Sequence, residues 1–220
     1  MVRDGRHSEH VRHRRGTTEM SGPSAALDGE SSVLVLSPSM SSETDEACVG
    51  MLTDSPPTEE NVLWVTFTRS PDACIQDWLA HANGRPANLR FISVGETVRS
   101  VATSAPMQET STDAVVDTLS NPGDLTGLGI KISEVLQQWH GNGNRTVACF
   151  HSLTALLQYS DVQTVYKFLH VLTGRFTTAD VTAHFHLDPE AHDSQTINTL
   201  KTLFDAVAEF DGNEWNVKTR

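Results

Sequence analysis

A chain of 220 residues with a formal net charge of −12 is long enough for one sizeable core and too short for several domains. The charge is uneven: five arginines against Asp4, Glu9 and Glu19 leave residues 1–20 at +2, and the other 200 residues hold 11 basic and 25 acidic side chains, or −14. That balance excludes a broad polyanion-binding face, which needs clustered Lys and Arg. The one basic stretch, "RHRRG", has neither interleaved aromatics nor an apolar period and reads as a flexible tail; contact with DNA phosphate is its alternative reading.

Residues 1–30 are polar and read as a disordered N-terminal tail, with Met20 as an alternative start, and residues 31–220 as one α/β domain. Within it, "SVLVLS" (32–37) is a β run, and "ETDEACVGML" (43–52) is a helix with acids in its first turn, where the dipole favours them. "NVLWVTF" (61–67) is the next strand and "SPDACIQDWLAHA" (70–82) the next helix, Ser70 capping it and Pro71 opening it. "NLRFISV" (88–94) is a strand, residues 95–113 a long loop, and "AVVDTL" (114–119) a further strand.

Leu125, Leu128, Ile132, Val135, Leu136 and Trp139 then recur at helical spacing over 124–139. Gly127 and Gly129 each cost about 1 kcal/mol there, a loss that close packing on a sheet would offset. "RTVACF" (145–150) is a buried strand, Leu153–Leu157 a short apolar helix-like run, 162–172 a helix, 180–187 a strand and 195–204 a helix. Residues 206–210 and 214–218 flank Asp211-Gly212-Asn213 as a terminal hairpin. Strands alternating with helices predict a three-layer α/β/α sandwich on a mostly parallel sheet, closed at one edge by the hairpin.

Lysine is scarce, with Lys131, Lys167, Lys201 and Lys218 the only four. An acidic, lysine-poor surface suits a cytoplasm rich in salt, where repulsion is screened; an ordinary acidic protein is the plainer reading. Cys48, Cys74 and Cys149 are scattered and form no CxxC pair, which suits a reducing compartment and argues against a disulfide framework or a cysteine zinc site. No apolar run approaches the roughly 20 residues that span a bilayer. A cytoplasmic protein is expected.

The order of elements, with "SNPGDLTGLGIKISEVL" (120–136), "HSLTALLQY" (151–159) and "HFHLDPEAHD" (184–193), resembles the RecA/KaiC-like P-loop ATPase superfamily. More closely, it resembles a haloarchaeal family of RecA-like proteins with degenerate Walker motifs. The likeness extends over about residues 32–218. It implies a RecA-like sheet in which the His-rich strand runs beside the strand ending at His151, and a nucleotide site at the strand tips.

That site would fall on Ser37, Ser39, Ser41, His151 and Ser152. A working one needs a glycine-rich loop with a lysine, a metal-holding Asp and a water-priming carboxylate. The loop here is "SPSMSSETDEA", with Glu43, Asp45 and Glu46 where phosphate would lie; His151 stands at the Asp position; and "TFTRSPD" offers Arg69 and Asp72 but no Glu. Imidazole is a poor ligand for Mg²⁺. A degenerate nucleotide site and no ATP hydrolysis are expected, with His151 a strand-end residue within reach of Ser37 or Ser39 if those strands are neighbours, as the resemblance implies.

On a strand, His184, His186 and Asp188 share one face, and His192 follows after Pro189. Imidazole and carboxylate suit zinc, so these four are the candidate metal ligands; His151, His81, His140 and His170 are the distant donors available. Packing histidines and a pH-responsive switch are the alternatives. No cofactor is expected, with ATP or zinc the exceptions. The leading expectation is a non-catalytic RecA/KaiC-like module that acts through protein contacts, with nucleic acid not expected and a homo-oligomer left open. The alternative is a nucleotide- or metal-dependent hydrolase using the face of His151, His184, His186 and Asp188.

Overall fold

Runs such as Val33–Leu36 and Val62–Val65 have no polar alternation, and a strand of that kind is stable only where both faces are covered. Strands β1 (Ser32–Leu36) and β2 (Glu60–Thr66) are buried at every residue. They lie inside one eight-stranded sheet of order β4-β3-β2-β5-β6-β1-β7-β8. Its other members are β3 (Asn88–Val94), β4 (Val115–Leu119), β5 (Arg145–His151), β6 (Val181–Leu187), β7 (Ala206–Phe210) and β8 (Trp215–Thr219). A computed structural model describes residues 23–27, 29–39, 42–53, 55–95 and 114–220. Every pairing is parallel except β7 with β8, the antiparallel hairpin that closes one edge.

Helices α1 (Ser42–Met51) and α2 (Pro71–His81) cover one face, where Cys48, Val49, Leu52, Cys74 and Trp78 pack on Val62, Trp64, Phe91, Val147 and Cys149. The other face carries α3 (Leu125–Trp139), α4 (Leu153–Leu156), α5 (Val162–Thr178) and α6 (Ser194–Lys201) over Leu34, Leu63, Ile92, Phe150 and Phe185. The molecule is a three-layer α/β/α sandwich.

The end of the stretch read as a tail takes part in the fold. Residues 23–26 form a 3-10 turn, and Leu27 packs with Val33, Val35 and Met51. The packed chain therefore starts upstream of residue 31. Helix α5 runs six residues past its expected end because Phe176, 1% exposed, still faces the core. Of the two glycines of α3, Gly127 has a cause other than close packing on the sheet. A Cβ on Gly127 would lie 2.4 Å from a carboxylate oxygen of Asp124, the N-cap whose Oδ1 accepts from the Gly127 amide at 2.8 Å. Gly129 faces Phe168 of α5 at ordinary contact distance.

Candidate functional site

The parallel register of β5 and β6 sets Cys149 opposite His184, and β6 in turn sets His184 and His186 opposite Val33 and Val35 of β1. Side chains alternate along each strand, so Cys149, His151, His184 and His186 share the face beneath α1. From above, α1 buries Thr44, Ala47, Cys48 and Met51, residues at helical spacing, and Cys48 enters the same space.

One ligand atom from each of Cys48, Cys149, His184 and His186 lies within 4.8 Å of all the others. Cys48 Sγ is 3.4 Å from Cys149 Sγ and 3.3 Å from His184 Nε2. The His186 ring lies 5.1 Å from His184 and 5.0 Å from His151, centroid to centroid. All four residues are buried, none more than 3% exposed. Both ring nitrogens of His186 and Nδ1 of His151 find no hydrogen-bond partner among the described residues, an arrangement that normally costs about 1–3 kcal/mol per group.

Burial raises both thiols. At Cys48 the hydrogen bond with Cys149 and the nearby His184 and His186 outweigh it and hold the pKa well below the ordinary thiol value; Cys149, paired with Cys48, is pushed well above it. Burial and the neighbouring His186 push His151 down to about 3, so its ring is neutral at physiological pH. Burial also lowers His184, against the opposing pull of Cys48.

The residues expected to form a nucleotide site have other tasks. Ser37 is buried and its amide extends the β1–β6 ladder to the Leu187 carbonyl. The amide and hydroxyl of Ser39 both donate to one carboxylate oxygen of Asp188, at 3.0 and 2.7 Å. Ser152 caps α4 by accepting from the Ala155 amide. Ser41 lies outside the described residues. Strands β1 and β5 are not neighbours, since β6 runs between them, and the His151 ring lies tilted against His186 instead of across from Ser37 or Ser39.

Of the expected metal ligands, His184 and His186 come together, while Asp188 and His192 are not in the group. Asp188 holds Ser39, caps the turn Pro189–Ala191 by accepting from the Glu190 amide, and donates its own amide to Thr154 Oγ1. His192 is partly buried, which lowers its pKa against the pull of Asp188 and Asp193. The cysteines that look scattered along the sequence are in part brought together: Cys48 meets Cys149, 101 residues away, because α1 crosses over β5 and β6. The readable signal was the alternation of Cys149 with His151 on one strand and of His184 with His186 on the next. The acidic first loop is also not wholly uncompensated. Arg69 pairs with Asp45 of α1 at 2.5 Å and with Asp77 of α2, and burial outweighs that pairing to raise the Asp45 pKa.

A mostly parallel sheet with helices on both faces, and a closed thiol–imidazole cluster beneath its first helix, define an α/β/α domain whose polar centre is sealed. The chain belongs to a family of unknown function (DUF7504), whose model matches residues 30–210. No curated protein matches it. Among solved structures it is similar to a Pyrococcus horikoshii OT3 protein from a structural study, at 12% identity and a TM-score of 0.54, over 90% of this chain and 92% of that one. That likeness is one of fold.

Proposed function

We propose that this domain is a non-catalytic RecA/KaiC-like module of a salt-adapted cytoplasm, which regulates or signals through protein contacts. One observation carries the reading. The Ser39 amide and hydroxyl, at the tip of the first strand where a phosphate would be received, are taken by the Asp188 carboxylate. An anionic ligand would have to displace that carboxylate and then lie beside it, with no lysine in the loop to compensate. The His-rich strand lies beside the one that ends at His151, the arrangement that the resemblance implies, and this supports the reading.

The hydrolase alternative needs substrate and water to reach His184 and His186, each 3% exposed. A cavity of about 20 Å³ bordered by Leu27, Val33, Met51 and His184 holds one water at most. The geometry therefore favours the non-catalytic reading.

Calorimetric titration of the full chain with ATP–Mg²⁺ in concentrated KCl tests it. No binding tighter than about millimolar, or about −4 kcal/mol, is expected. Micromolar affinity, or hydrolysis above the buffer rate, would overturn the proposal.

A further inference from the structure

The geometry points to a structural zinc ion held by Cys48, Cys149, His184 and His186, pinning α1 to β5 and β6. The donor set is the first argument. Two thiols and two imidazoles are the ligands of a closed tetrahedral zinc site, whereas Mg²⁺ and Ca²⁺ require oxygen.

Distance is the second argument. Zinc bonds of about 2.3 Å to sulfur and about 2.0 Å to nitrogen give a tetrahedron whose edges are about 3.3–3.8 Å. The Cys48–Cys149 and Cys48–His184 separations are 3.4 and 3.3 Å. No pair in the group is wider than 4.8 Å, so small side-chain rotations complete the figure.

Charge is the third. Zn²⁺ bound by two thiolates and two neutral imidazoles has no net charge, the condition under which a site exposed by no more than 3% can hold a divalent ion. Each thiol that enters protonated gives its proton to solvent as its sulfur bonds the metal.

The fourth argument is what is otherwise unexplained. His186 buries two ring nitrogens that have no partner among the described residues. Coordination satisfies one of them directly. Four protein donors and a sealed setting leave no open position for substrate, so the metal's role is to fix α1 on the sheet. This is independent of the nucleotide reading, which stands or falls on a different set of residues.

The test is elemental analysis of the full chain purified without chelator, alongside His186→Ala, Cys149→Ala and, as control, His192→Ala. About one equivalent of zinc is expected in the wild type and in His192→Ala, with the two ligand variants losing most of it. Because a ligand variant can fail to fold, the wild type is also stripped with chelator and titrated with Co²⁺. The visible bands of tetrahedral cobalt and thiolate-to-cobalt charge transfer in the near ultraviolet are expected, displaced by added zinc. Iron or copper in place of zinc, no metal together with featureless Co²⁺ spectra, or zinc retained in a folded Cys149→Ala would each overturn the assignment. So would a wild-type mass lighter by two hydrogens, with Cys48 and Cys149 joined as a disulfide.

Discussion

At His151 the chain sets an imidazole at a strand tip that is only 8% exposed, tilted against His186, with Nδ1 unpartnered among the described residues. Replacing it by the acid of the resembled superfamily, His151→Asp, buries a carboxylate near Arg69, a cation already paired with Asp45 and Asp77. The cost is expected to be about 1–3 kcal/mol or somewhat more, because an unsatisfied charged group loses its full hydration. His151→Leu keeps the volume and removes the unpartnered nitrogen, so it is expected to fall within about 0.5 kcal/mol of wild type. Urea denaturation of the two variants gives the comparison. Equal and large losses would mean that the ring makes a polar contact essential to the tip; a harmless Asp would mean that the tip is hydrated. Neither variant is expected to gain ATPase activity, since Asp188 still occupies the Ser39 donors.

Helix α3 shows how a cap and a glycine depend on one another. The Asp124 carboxylate lies where a Gly127 side chain would be and accepts from the Gly127 amide. Asp124→Ala is expected to cost about 1 kcal/mol through loss of the cap. Gly127→Ala gains about 1 kcal/mol of helix propensity but displaces that carboxylate, so its net effect is expected to be near zero. In the Gly127→Ala background, Asp124→Ala should then cost little. A double-mutant cycle by thermal or urea unfolding measures this coupling, and strict additivity of the two changes would refute the account.

Elements of this kind were legible in the sequence. Most apolar runs begin or end at Ser, Pro, Asn or Asp, and Asn88–Val94 and Ala206–Phe210 have the predicted ends while the other strands shift by a residue or so. Residues 124–139 were recognisable from helical spacing, but the reason for Gly127 was not, because it depends on a side-chain position. The cluster was half legible. Alternation placed His184 with His186, yet it also pointed to Asp188, which lies past the strand end and turns to Ser39 instead. Cys48 and Cys149 could be joined to the histidines only by knowing that β5 and β6 are adjacent and that α1 lies over both. Pairing order between distant strands is a property of the whole sheet, and periodicity along one segment carries no record of it.

At the scale of the whole molecule, the ion pairs among the described residues do not offset the acidity of the chain. Arg69, Arg90, Arg145 and Lys201 pair with Asp45, Asp77, Asp117, Glu60 and Glu209, but residues 21–220 carry a net charge of −14. Self-repulsion among these charges disfavours the compact state, and salt relieves it as the Debye length shrinks from about 10 Å at 0.1 M to about 3 Å at 1 M. Each kcal/mol recovered raises the melting temperature of a chain this size by about 2–4 °C. The melting temperature is therefore expected to climb by about 5 °C or more between about 0.1 M and about 2 M KCl, most steeply in the lower part of that range, where screening changes fastest. Scanning calorimetry across a KCl series provides the measurement, with sucrose at matched osmolality as the control for exclusion effects that do not depend on charge. A flat KCl profile, or an equal rise in sucrose, would mean that charge repulsion does not limit this fold and that its acidity is not a salt adaptation.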